Sequence, residues 1–170
     1  MRHTVTVLVE NRFGAFDRVA NLFSGKGFNI HSISIGETEI REISRMTIVT
    51  DGDDRIVDQV IKQLNRLVDT IKVINLTEHH RVERELALIT VTYQKGNLEE
   101  IKNLADIFRA KIVDINNKSI TVEVTGPPEK VNAAVNVMMP FGIKEMARSG
   151  TVALKRGEQP KPEKKELLLN

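Results

Sequence analysis

Two stretches of the chain repeat one order of hydrophobic periods, and that order leaves few folds open. Within residues 1–78 a two-residue alternation is followed by a helical period, two more alternations, a second helical period and a last alternation; residues 85–149 repeat the order. Val5, Val7 and Val9 alternate with Thr4 and Thr6, the pattern of a half-buried strand. Phe16, Val19, Ala20 and Phe23 then share a helical face, and Gly25-Lys26-Gly27 predicts its stop. Ile33 and Ile35, then Met46 and Ile48, mark two strands joined by a polar tip at 37–42. Asp51-Gly52-Asp53-Asp54 supplies a turn and a helix N-cap ahead of Val57, Val60, Ile61, Leu64 and Val68. Ile71 and Val73, running toward Leu76, close the first unit.

The second unit opens with a strand at 86–92 and a helical stripe of Leu98, Ile101, Leu104, Ala105 and Phe108 after the turn Lys95-Gly96-Asn97. Residues 112–115 and 120–124 form a hairpin across Asn116-Asn117. Gly126-Pro127-Pro128 then opens a helix bearing Val131, Ala134, Val135 and Met138, and 142–147 is a last short strand. Each βαββαβ unit predicts a four-stranded antiparallel sheet with both helices on one face, so the fold class is α+β with two ferredoxin-like domains in tandem. The expected boundaries are 1–78 for the first domain, 79–84 for a linker lacking either period, 85–157 for the second domain and 158–170 for a mobile charged tail. Such a sheet leaves its far face wanting a cover. Domains of this size gain from burying an edge or a face against another copy of the chain.

Composition removes several functions. With no cysteine, disulfides, thiolate metal sites and thiol nucleophiles are excluded. Lys and Arg number 25 against 23 Asp and Glu, and neither half concentrates the basic residues into a field for nucleic acid. An RNA-recognition module shares the element order but stacks bases on aromatic residues of its central strands, where this chain has Val5, Val7, Met46 and Ile48. No segment reaches the length of uncharged sequence that a membrane helix needs, and the first residues enter an alternating strand rather than a signal-peptide core; a cytoplasmic protein is expected.

The segment richest in chemistry is Glu10-Asn11-Arg12-Phe13-Gly14-Ala15-Phe16, where strand gives way to helix. Free N–H groups at a helix start attract a carboxylate, Gly14 lets a ligand approach the main chain, and Asn11 adds an amide. The plainer use of Asn11 and Gly14 is to shape a tight turn. Asn29 poses the same choice between ligand amide and turn residue, with Ile30, His31, Ser32 and Ile33 as the wall beside it. His3, His31, His79 and His80 fall in no metal spacing, and Asp51, Asp53 and Asp54 lack the glutamate of a calcium loop. No nucleophile motif, phosphate loop or carboxylate pair stands out. An acylphosphatase-like pairing of Arg12 or Arg18 with Asn29 is the nearest enzymatic constellation.

Whole stretches of the sequence carry a resemblance. Residues 7–19 from Val7 through Asn11 and Gly14 to Val19, residues 22–30, Ser44-Arg45-Met46-Thr47-Ile48, residues 63–69, Val82-Glu83-Arg84-Glu85-Leu86 and Ala147-Arg148-Ser149-Gly150 resemble the regulatory subunits of acetohydroxyacid (acetolactate) synthase, the first half being similar to an ACT domain. The resemblance covers about residues 2–157. It implies a non-catalytic subunit that binds and activates the large catalytic subunit and confers feedback inhibition by valine or a related branched-chain amino acid. It implies a homodimer through the ACT domains, with the effector held by Asn11, Gly14, Ala15 and Phe16 of one chain and Asn29 and Ile30 of the other. Thiamine diphosphate, magnesium and FAD would belong to the catalytic partner and none to this chain; no nucleic acid or membrane partner is implied. Asp17 departs from a small hydroxyl residue in several relatives, and its carboxylate would weaken or retune effector binding. A free-standing ACT-type sensor of another pathway is the alternative that shares this ligand chemistry.

Overall fold

The computed structural model describes residues 1–26, 29–94 and 96–157, the side chains of 24–26 apart. The expected helix stop at Gly27, the turn residue Lys95 and the charged tail 158–170 lie outside the described residues. In the first domain β1 (Arg2–Glu10), α1 (Ala15–Lys26), β2 (Ile30–Glu37), β3 (Ile43–Asp51), α2 (Asp54–Leu64) and β4 (Thr70–Asn75) follow the expected order. The sheet runs β2-β3-β1-β4, all pairs antiparallel, which is the ferredoxin-like arrangement. Asp53 caps α2 by accepting the Ile56 N–H at 2.9 Å. Helix α1 continues through Gly25, which does not stop it.

One face of the sheet and the two helices enclose Val5, Val7, Val9, Val19, Phe23, Met46, Ile48, Val57, Val60 and Leu64, all nearly fully buried. Each such side chain contributes roughly 1.5–3 kcal/mol of transfer free energy. The strand period places these residues inward, so Val5, Val7, Met46 and Ile48 are core rather than a binding face.

The second domain comprises β5 (Arg81–Thr92), α3 (Leu98–Ile107), β6 (Lys111–Ile115), β7 (Ser119–Gly126), α4 (Pro128–Met138) and β8 (Ile143–Arg148), with sheet order β6-β7-β5-β8. Pro128 starts α4, where its missing N–H has no helical acceptor to lose. A ninth strand, β9 (Val152–Lys155), pairs antiparallel with Arg81–Arg84 at the start of β5.

That pairing corrects two expectations. Residues 79–84 are not a plain linker, because Arg81–Arg84 are the first part of a twelve-residue strand that enters the second domain as its central element. The far face of the first sheet is also not left open. Thr4 pairs with Val49 and Thr6 with Thr47, so these four share that face, and all are buried. The start of β5, β9 and the short 3₁₀ turn Leu76–Glu78 lie over them: Thr4 donates to Glu83 at 2.8 Å, and Leu76 and Ala153 are buried in the junction. The covered face carries no aromatic side chain among its central pairs, so base stacking has no platform there.

Candidate functional site

At the end of β1 the chain must turn sharply into α1, and Gly14 does so with φ +82°, a conformation that disfavours a side chain. The turn is tied by Ala15 N–H to Arg12 O at 3.2 Å and by the first helical bond, Arg18 N–H to Gly14 O at 3.1 Å. The amides of Phe16 and Asp17 follow Ala15 in the first turn and have no intrahelical acceptor. Asn11 donates its amide to Arg41 O at 2.9 Å and to Glu37 Oε1 at 3.3 Å, fastening the loop to the β2–β3 hairpin. Phe13 is fully exposed and Phe16 half-exposed, while Ala15 is buried in the core, so Ala15 can offer a ligand only its backbone.

A neighbour not singled out by the sequence as an effector residue completes this end. The Arg18 guanidinium pairs through Nε with Asp69, whose side chain is only 10% exposed. The same Asp69 accepts the Glu10 N–H with its backbone carbonyl at 2.9 Å. A Cβ on Gly14 would lie 3.2 Å from Arg18 Nη1, so the free edge of the guanidinium sits against the glycine. The hydrogen bond that Arg18 donates to Asp69 raises the Arg18 pKa further above its ordinary value, and the cation is permanent. The helical spacing of Gly14 and Arg18 was the available signal; the partner at 69 is remote in sequence.

Asn29 and Ile30 lie elsewhere. The Asn29 carbonyl accepts the Thr50 hydroxyl at 2.7 Å and the Asp51 N–H at 3.3 Å, and its side chain is exposed. Ile30 pairs with Thr50, which pairs with His3, whereas Glu37 pairs with Ser44, which pairs with Val9. The two groups therefore stand at opposite ends of the sheet, about 20 Å apart at the usual rise per strand residue. Within one chain the structure does not bring Asn11 and Gly14 to Asn29 and Ile30. The acylphosphatase-like pairing of Arg12 or Arg18 with Asn29 is absent for the same reason. Beside Asn29, His31 bonds Asp51 and holds that carboxyl below its ordinary pKa.

Among the described residues no group of His, Asp and Glu could hold a metal ion, and no helix is long and apolar enough to cross a membrane. Two clefts flank β2. One of about 590 Å³ is polar and lies between the domains, and one of about 530 Å³ is lined by Ile35, Val82, Val152 and Leu154. Neither contains Asn11 or Gly14.

A family model for the AHAS small subunit-like ACT domain matches residues 5–72, and one for the small subunit of acetolactate synthase matches residues 84–157. The chain belongs to the acetolactate synthase small-subunit family. An acetolactate synthase small subunit of Aquifex aeolicus is 49% identical over 97% of this chain and 86% of its own length. A protein of Archaeoglobus fulgidus described as a "probable acetolactate synthase small subunit" is 53% identical over 94% of this chain and 99% of its own. The crystal structure of the acetolactate synthase small subunit from Thermotoga maritima superposes with a TM-score of 0.85 at 41% identity, covering 94% of this chain and 99% of that one. As a small subunit with an N-terminal ACT domain, the chain has a regulatory place in the synthase.

Proposed function

We propose that this acetolactate synthase small subunit binds valine or a related branched-chain amino acid between two copies of itself, and that it activates a catalytic subunit and makes it subject to feedback inhibition. The observation that carries the reading is the separation of the two half-sites along the edge strand β2. Among the described residues β2 pairs only with β3. If two β2 edges pair antiparallel, the Ile30 end of one chain lies beside the Glu37 end of the other. Asn11 is bonded to Glu37, so the loop of one chain then meets Asn29 and Ile30 of its partner. Both half-sites are used twice, and neither suffices alone.

In such a site the effector carboxylate lies against the Phe16 and Asp17 amides, with Gly14 giving room. The aliphatic group meets Ile30 and Phe16, and the ammonium meets amide or carbonyl oxygens of Asn11 and Asn29. Thiamine diphosphate, magnesium and FAD are assigned to the catalytic subunit. The family match over both domains supports that partner over a free-standing sensor.

Gly14→Asp tests the site. It adds a side chain at φ +82° and a carboxylate that pairs with Arg18 where the effector carboxylate belongs. Expected in the reconstituted synthase is loss of inhibition by at least about tenfold in effector concentration, with activation retained, since a single charge-assisted contact is worth about that much. Undiminished valine sensitivity would refute the placement.

A further inference from the structure

The start of β5 lies over the first sheet, and hydrogen bonds fasten β1 and β2 to the second domain in unlike ways. On β1, Thr4 donates its hydroxyl to Glu83 Oε1 at 2.8 Å, and Arg81 Nε reaches the same oxygen at 2.5 Å. On β2, the fastening is the segment 148–151, which begins at the last residue of β8. Ser34 donates its hydroxyl to Ser149 O at 2.9 Å. The Ser149 hydroxyl accepts the Leu86 N–H at 3.0 Å and donates to Gly150 O at 2.8 Å, and the Ser149 N–H donates to Leu86 O at 3.0 Å. Arg148 grips the buried Glu85 with two bonds of 2.7 Å. The segment is thus welded to β5, the central strand of the second domain.

Its fit against β2 is close. Gly150 has φ +73°, and a Cβ there would lie 2.8 Å from Ser34 Oγ and 3.2 Å from Ser32 Cβ. Small side chains on both partners permit this approach. Between the two fastenings lies the polar cleft of about 590 Å³, walled by Thr4, His31 and Ser32 on one side and Glu83, Glu85 and Thr151 on the other. Strand β3 separates β2 from β1, so the Ser34–Ser149 and Thr4–Glu83 fastenings stand on strands that are not neighbours in the first sheet.

We propose that residues 148–151 form the joint through which effector binding at the β2 edge is transmitted to the second domain, with Ser34 and Gly150 as its positioning residues. This rests on the regulatory reading above and adds the route. A coupling of the usual size between two sites, 5- to 150-fold, is within reach of a few such contacts.

The experiment compares two readouts on the same full-length protein: effector affinity of the small subunit by calorimetry, and effector inhibition of the reconstituted synthase. Ser34→Ala removes the hydroxyl and leaves the fold and basal activation; Gly150→Ala, which disturbs the fit from the other side, is the second variant. The expected result is an affinity within about threefold of the parent, while the inhibition attained at saturation falls by about fivefold in the ratio of free to inhibited activity, the worth of one hydrogen bond. A structural role alone would move stability or both readouts together. Binding and inhibition both unchanged in Ser34→Ala, or lowered in proportion, overturn the joint and spare the regulatory reading. A parent protein that neither binds nor responds overturns both.

Discussion

Arg18 changes what the first-helix site can recognise. A helix start and a glycine favour any small anion, but a guanidinium held by a nearly buried Asp69 adds a fixed directional charge at the same spot. Its Nε is occupied, and its two terminal nitrogens face the loop at Gly14. The carboxylate of an amino acid is the group that profits. Calorimetry with valine and with valinamide, which lacks the negative charge, isolates this contribution. The parent should prefer valine by about tenfold or more, and Arg18→Gln should cut that preference by about fivefold or more, the helix-start amides keeping the remainder. If Arg18 only steadied the loop through Asp69, the variant would weaken both ligands alike and the preference would survive. Asn11 and Gly14 were legible as candidates because their types and their place at a strand-to-helix turn are local facts. Ala15 belongs to the core by its four-residue spacing to Val19 and Phe23, a stripe that the half-exposed Phe16 obscures in the sequence.

Strand β9 belongs to the contact between the domains. Along it Val152 is exposed, Ala153 buried and Leu154 exposed, because only one face of the β5–β9 ribbon meets the first sheet. Ala153→Asp would place an uncompensated carboxylate in that contact and should lower stability by about 3 kcal/mol, whereas Val152→Asp on the free face should stay within about 0.5 kcal/mol. Urea unfolding of both variants checks the contrast, and equal midpoints would deny that the ribbon covers the sheet. Both βαββαβ units were readable from period alone, since each strand and helix carries its own apolar face. The ribbon was not. Arg81-Val82-Glu83-Arg84 holds one apolar residue among three charges, and its charged side chains are satisfied by polar partners: Glu83 by the remote Thr4 hydroxyl, Arg81 by the carbonyls of Leu76 and Thr77 in the preceding turn at 3.1 and 3.2 Å. A strand stabilised by such contacts has no hydrophobic signature, and β9 is visible only as a short apolar run until its pairing with 81–84 is known.

At the scale of the whole chain, the covered sheet makes the two domains parts of one folding unit. A chain ending near Glu78 would retain both helices and all four strands of the first domain yet uncover Thr4, Thr6, Thr47, Val49 and Leu76. Exposing Val49 and Leu76 alone forfeits about 3–5 kcal/mol of apolar burial, which for a domain of this size corresponds to a fall in Tm of at least about 10 °C. The full chain should instead melt in one transition with calorimetric and van't Hoff enthalpies in agreement, and two separate transitions would contradict the shared cover. The consequence reaches the test of which domain holds the catalytic subunit. A shortened chain that fails to activate could do so because its first domain has lost its cover, so the informative comparison keeps the ribbon and disrupts the second domain at a distance from it. Activation lost by such a variant, with effector binding and thermal stability of the first domain intact, places the catalytic contact on the second domain; activation retained places it on the first.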